Sequence, residues 1–253
     1  MLDTRDQLIC MYRTLDRSFG PLHWWPGDTP FEVAVGAILT QNTNWANVQK
    51  AIGRIKANGA MSPEALYGLE DEALWELIRP SGYFRVKGRR LKAFLAVLCG
   101  DFAGDLEKML GGDLHDARRR LLAIPGIGEE TADSILLYAG GRPVFVVDAY
   151  TRRILERHGI LEGRPTYGAI QRLFMEALPP DAGLYNQYHA LIVETGKRFC
   201  RKEPLCGQCP LGGTSGRKRM HGQGGLAAAE REQCSSGKKS LRRGFRKTAA
   251  RSS

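Results

Sequence analysis

The chain has 253 residues, 43% of them hydrophobic, enough for one large domain or two small ones with a sizeable core. No apolar run approaches the roughly 18 residues of a membrane helix, and the N-terminus MLDTRDQLICMY mixes acids and bases without the apolar stretch of a signal peptide, so a soluble cytosolic protein is expected. The net charge of +10 is uneven: from Pro210 onward stand 11 basic and 2 acidic residues, leaving 26 basic against 25 acidic before it, so global charge says little about what the core binds.

Apolar residues recur at helical spacing through most of the chain. Phe31 to Thr40 and Trp45 to Ala57 are expected as helices joined at Gln41-Asn42-Thr43-Asn44. Ser62 is an N-cap followed by Pro63 at the first helical position. Asp71 to Ile78 and Val86 to Leu98 are amphipathic. The second carries Lys87, Arg89, Arg90 and Lys92, either a solvated face or a set of phosphate contacts. Asp113 to Ile124 leads into Pro125-Gly126-Ile127-Gly128, and Glu129 to Tyr138 leaves it. Val144 to Val147 alone looks like a strand, and four residues do not make a sheet. Ala149 to Arg157 ends near Gly159, a C-cap. Pro165 to Leu178 stops at Pro179-Pro180, and Leu184 to Cys200 is long and aromatic. No internal repeat is present. From Gly212 onward Gly, Ser, Lys and Arg dominate, and disorder is expected. The fold class is all-α.

Residues 121 to 150 carry the most chemistry. Two helices joined by a tight glycine hairpin present backbone N–H groups at a helix N-terminus, which suits a phosphate. Gly126 and Gly128 let the backbone approach a ligand closely. Asp148 follows twenty residues after Gly128, behind an apolar run. It reads either as the N-cap of the next helix or as a reacting carboxylate, and both roles are compatible.

Five ordered stretches resemble the helix-hairpin-helix, glycine/proline-rich, aspartate superfamily of DNA glycosylases. They are HWWPGDTPFEVAVGAILTQNTNWANV (23 to 48), RPSGYFRVKGRRL (79 to 91), the hairpin, Asp148, and HALIVETGKRFC (189 to 200). Within that superfamily the chain is similar to endonuclease III-like proteins, in particular bacterial 3-methyladenine glycosylases. The resemblance covers about residue 20 to Cys209. It implies a two-domain helical fold: a six-helix domain at 27–134, a second domain from 1–26 plus 135–199, a cysteine loop at 200–215 and a basic tail at 216–253. It implies a monomeric, cytoplasmic, bacterial protein at the nucleoid, acting on damaged double-stranded DNA.

The resemblance also implies roles. Asp148 would stabilise the positive charge that develops on the sugar as an N-glycosidic bond breaks. Lyase-active members carry a Schiff-base lysine where this chain has Glu130. A carboxylate forms no imine, so a monofunctional enzyme is expected. In the alkylpurine branch an acidic residue at that position faces the pocket and would attract a cationic base; the other reading is a carboxylate at a helix N-terminus. Trp24, Trp25, Pro26 and Trp45 are walls for a base extruded from the duplex, or ordinary core. Gln41 would fill the gap left by the flipped base, or is a polar turn residue. Gly126, Ile127, Gly128 and Thr131 would hold the DNA backbone. Lys197 lies on a helix that can reach the active site, or is a surface lysine.

Cys200, Cys206 and Cys209 are spaced C-x5-C-x2-C. The family's [4Fe–4S] pattern is C-x6-C-x2-C-x5-C, so one spacing is shorter, Ser215 stands near the fourth position, and the later Cys234 is a further candidate ligand. Cys10 and Cys99 read as buried apolar residues. The expected function is hydrolytic release of damaged bases, alkylated purines first. The alternatives are an endonuclease III-type glycosylase and lyase for oxidised pyrimidines, and a non-catalytic DNA-binding module.

Overall fold

The computed structural model describes residues 3–22 and 24–212; Ser215, Cys234 and the expected basic tail lie outside the described residues. Side-chain caps set most helix starts. Asp3 accepts from the Asp6 amide to open α1 (Thr4–Phe19), and Thr29 accepts from Glu32 to open α2 (Pro30–Leu39). Asn44 and Ser62 cap α3 (Trp45–Ala57) and α4 (Pro63–Gly68). α5 (Asp71–Ile78) runs into a 3-10 turn, Arg79–Ser81, before α6 (Phe84–Phe102). Asp105 and Asp113 cap α7 (Leu106–Leu110) and α8 (Leu114–Leu122). α9 (Glu129–Ser134) starts at Gly128 with no side-chain cap and continues as a π-helical turn, Ile135–Ala139. Asp148, Thr166 and Asp181 cap α10 (Ala149–Arg157), α11 (Tyr167–Ala177) and α12 (Ala182–Arg198).

α1 packs on α11 and α12, and α12 packs on α10. α3 packs on α5, α4 and α5 pack on α6, and α6 to α9 follow one another in chain order, with α2 between α3, α6, α9 and the π turn. The π turn also meets α12, so one continuous apolar core runs through both groups. No helix among the described residues is long and apolar enough to cross a membrane.

Four details differ from the sequence expectations. Val144–Val147 is buried and extended but pairs with no strand among the described residues. Side chains of α11 replace the missing partner: Gln171 donates to the Phe145 carbonyl at 2.7 Å, and the Val147 amide donates to the Tyr167 hydroxyl at 3.3 Å. Lys87 is no phosphate contact. It is 1% exposed, and its ammonium donates to the carbonyls of Leu39 (2.9 Å) and Ser81 (2.5 Å). Burial, then the Arg90 charge, pushes it down to about 8. α7 is too short to show helical periodicity. Cys10 and Cys99 are half-buried.

Asp133, fully buried on α9, joins three elements. It accepts from Arg118 of α8 at 2.7 and 3.1 Å and from Gln171 of α11 at 2.7 Å. Asp133→Ala strands both donors. Breaking a buried pair costs about 3–5 kcal/mol, but Arg118 is partly exposed and keeps Glu129. The expected loss is therefore nearer 2–3 kcal/mol, a fall in Tm of roughly 4–12 °C. A melting point within 1 °C of wild type would show that the network contributes nothing.

Candidate active site

The hairpin is built on Gly126, whose φ of +88 suits glycine. The aliphatic stem of Arg90 lies where a Cβ would project. Gln41, in the turn between α2 and α3, donates to the Gly126 carbonyl (3.2 Å) and the Thr131 hydroxyl (2.9 Å) and accepts from Arg90. Gln41 therefore bridges the α2–α3 turn to the hairpin. Gly126 and Gly128 are exposed. Ile127 is buried, its amide closing the turn onto the Ile124 carbonyl at 3.1 Å, and Thr131 is buried with its hydroxyl toward Gln41.

Asp148 caps α10. Its Oδ1 accepts from the Thr151 amide (2.7 Å) and the Thr151 hydroxyl (2.8 Å). Its Oδ2 lies 3.7 Å from Nε2 of His189 on α12, and the side chain is 12% exposed. The cap thus occupies one oxygen and leaves the other turned away from the helix.

Glu130 is accessible to water, yet protein surrounds it at longer range. That partial desolvation, then the Asp148 charge, pushes its carboxyl up to about 7.

The tryptophans form one cluster. Trp25 stacks on Tyr138 of the π turn, 4.6 Å between centroids at 13°, and meets Trp45 edge-on at 5.2 Å and Trp24 at 6.4 Å. Its φ is +68, a conformation that costs a bulky residue on the order of 1–3 kcal/mol. The indole N–H groups of Trp25 and Trp45 are buried without a partner. Trp45 also lies over Gly36, packing α3 on α2. Lys197 stands 4.9 Å over the Trp24 ring, and Pro26 is exposed.

Tyr138 and His189 were not singled out from sequence. The Tyr138 hydroxyl lies 2.5 Å from Nδ1 of His189, so an aromatic chain runs from Trp25 to Asp148. Nothing in their spacing, 51 residues apart, points to that contact.

Cys200, Cys206 and Cys209 line a cavity of about 70 Å³ together with Arg157 and His158. Arg157 donates to the Cys200 sulfur at 3.3 Å. A four-thiolate cluster needs one more donor. Among the described residues no group of three or more ligating side chains is placed to hold a metal. Among the described residues the donor set therefore falls short of a [4Fe–4S] cluster.

Residues 35–180 match the model of the HhH-GPD superfamily of base excision DNA repair proteins. A Methanocaldococcus jannaschii protein named as a DNA repair glycosylase is 44% identical over 208 residues, 81% of this chain and 94% of its own. Endonuclease III of Thermotoga maritima is 31% identical over 183 residues, 72% and 80% of the two chains. The structure of an H. pylori 3-methyladenine DNA glycosylase bound to 1,N6-ethenoadenine aligns with a TM-score of 0.66 at 28% identity, covering 78% of this chain and 98% of that one.

Two measurements bear on this site. Carboxyl-13C NMR should show Glu130 titrating near 7 and moving lower in Asp148→Asn, because the neighbouring negative charge is gone while the desolvation stays. An unchanged midpoint would remove the coupling. Iron and sulfide analysis should find fewer than four irons per chain; a full, air-stable complement would mean that Cys234 or Ser215 completes the ligand set.

Proposed function

Because the chain belongs to the HhH-GPD superfamily of base excision DNA repair proteins and is an endonuclease III-like DNA N-glycosylase, we propose that it is monofunctional and releases alkylated purines from double-stranded DNA, with Asp148 as the reacting carboxylate. The observation that carries this reading is the proximity of two carboxyls whose charges act on each other, Asp148 with one oxygen outside its cap and Glu130 where a lyase would need an amine.

The C1′–N bond breaks with its electron pair leaving on the base, and positive charge develops on the sugar. Oδ2 of Asp148 faces that charge or takes a proton from the attacking water, whose oxygen bonds to C1′. The product is a free base and an intact strand with an abasic site. Glu130, ionised above about 7, favours a base that already carries positive charge, and such a base leaves without prior protonation. Trp25 replaces the stacking that the flipped base loses, which contributes about 1–3 kcal/mol per base. Gly126 and Gly128 would meet the DNA backbone. Gln41 can fill the vacated position only by exchanging its bonds to Gly126 and Thr131 for bonds to DNA.

A lyase acting on oxidised pyrimidines, the second reading, has its support in the endonuclease III relative. It lacks an amine at 130, and Lys87 is enclosed by carbonyls.

Duplex DNA alkylated with dimethyl sulfate supplies the test. Wild-type protein should release methylpurines, identified by chromatography, without nicking until alkali is added. Borohydride should trap little protein on DNA. For a cationic base the single-turnover rate should rise as pH passes from 6 to 8, and Glu130→Gln should flatten that rise. Asp148→Asn should lose at least a hundred-fold in rate while binding DNA normally. High-yield trapping would favour the lyase, and near-normal turnover in Asp148→Asn would remove Asp148 from the mechanism.

A further inference from the structure

His189 is 4% exposed, and its Nε2 has no hydrogen-bond partner within normal range although it points at Oδ2 of Asp148 from 3.7 Å. A buried donor left unmade costs about 1–3 kcal/mol, so the ring is held there by its other contacts. Those are the Tyr138 hydroxyl at Nδ1 and the edge of Phe145. The charged and titratable groups acting on the ring are Asp148 from the α10 cap, Tyr138 from the π turn and Lys197 from its own helix.

The proton positions follow from elementary chemistry. A bare Nε2 facing a carboxylate would set lone pair against lone pair, so Nε2 carries the hydrogen. In the neutral ring Nδ1 is then an acceptor, and the Tyr138 hydroxyl donates to it. Burial, then the Asp148 charge, holds the Tyr138 hydroxyl protonated, well above its usual range. Burial keeps the imidazole neutral: its pKa is lowered although Asp148 pulls the other way, and Lys197 lowers it further.

An ionised carboxylate has about four lone-pair sites. Thr151 uses two, both on Oδ1. We propose that His189 is a positioning residue for Asp148: with DNA bound, the neutral imidazole donates from Nε2 to a third site, on Oδ2, and leaves one lone pair of that oxygen for the reacting sugar or water. The 3.7 Å separation in the free protein is too long for a hydrogen bond and shortens when a flipped base occupies the site, as catalytic contacts do. A neutral donor orients the carboxylate without cancelling the charge that stabilises the sugar cation. The arrangement also ties the stacking wall to the reacting group, because the Tyr138 ring that packs on Trp25 carries the hydroxyl that sets the tautomer. The proposal rests on Asp148 being the reacting carboxylate.

Two readouts test it. In protein labelled with 15N-histidine, long-range 1H–15N spectra at pH 7 should show His189 as the neutral, Nε2-protonated tautomer, assigned by its loss in His189→Phe. Tyr138→Phe should shift it toward the other tautomer. An Nδ1–H tautomer or an imidazolium in the wild type overturns the proposal whatever the enzyme turns over. On dimethyl sulfate-treated duplex, His189→Phe should lower the single-turnover rate about ten- to a hundred-fold with unchanged affinity for an abasic-analogue duplex. His189→Asn, which keeps an N–H donor, should recover part of that loss. The His189→Phe/Tyr138→Phe double variant should be no slower than His189→Phe alone. If His189→Phe melts at assay temperature, His189→Asn and Tyr138→Phe carry the kinetic arm. A wild-type rate in His189→Phe beside an inactive Asp148→Asn would refute the positioning role alone, whereas an active Asp148→Asn would refute the premise.

Discussion

Gln171 donates its amide to the Asp133 carboxylate and to the Phe145 carbonyl, each at 2.7 Å, and the spacing between the glycine hairpin and Asp148 depends on this pair of bonds. Asp133 belongs to the helix that the hairpin starts. Phe145 belongs to the extended segment that ends at Asp148. One buried side chain therefore sets how far the exposed hairpin backbone stands from the carboxylate. The segment needs such partners, because unpaired buried backbone groups cost about 1–3 kcal/mol each. With Tyr167 on the Val147 amide, α11 substitutes for a neighbouring strand. Stacking of Phe145 on Phe174, 3.8 Å between centroids, packs the segment against the same helix.

The groups around Asp148 differ in charge for one reason, desolvation. It raises Glu130 to about 7, keeps Tyr138 protonated and keeps His189 neutral. Asp148 meets a different condition at Oδ1, which accepts two hydrogen bonds from Thr151. Glu130, near enough to feel the Asp148 charge, is the carboxyl that a small change of pH or ligand can protonate.

α10 links Asp148 to the cysteine loop. Its N-terminus presents Asp148. Arg153 and Arg157, further along, donate to the carbonyls of Cys200, Arg201 and Lys202. These two arginines thereby clamp the start of the cysteine loop. Arg153 also reaches the Gly196 carbonyl, and a Cβ at Gly196 would overlap the Tyr150 ring. The missing side chain lets α12 approach α10 closely, which brings His189 to within 3.7 Å of Asp148.

The sequence by itself determined the helical class, most helix starts, the hairpin and Asp148. These are local properties: a cap, a proline at the first turn or a glycine at positive φ acts over three or four residues. Of the two readings of Asp148 the structure shows the cap, which engages one oxygen only. Other features came from tertiary structure. Lys87 reads as part of a basic face, yet its ammonium satisfies two carbonyls brought from α2 and the 3-10 turn. Val144–Val147 has the composition of a strand, but among the described residues no partner strand lies beside it, and side chains of α11 bond its backbone. Gln41 reads as an isolated turn residue, and folding docks it on Gly126 and Thr131, 85 and 90 residues away. His189 opens the stretch 189 to 200 that carries the family resemblance, yet neither it nor Tyr138 reads from sequence as a partner of Asp148. Their contact with Asp148 exists because burial brings three distant segments together and, by removing water, decides which of their protons stay.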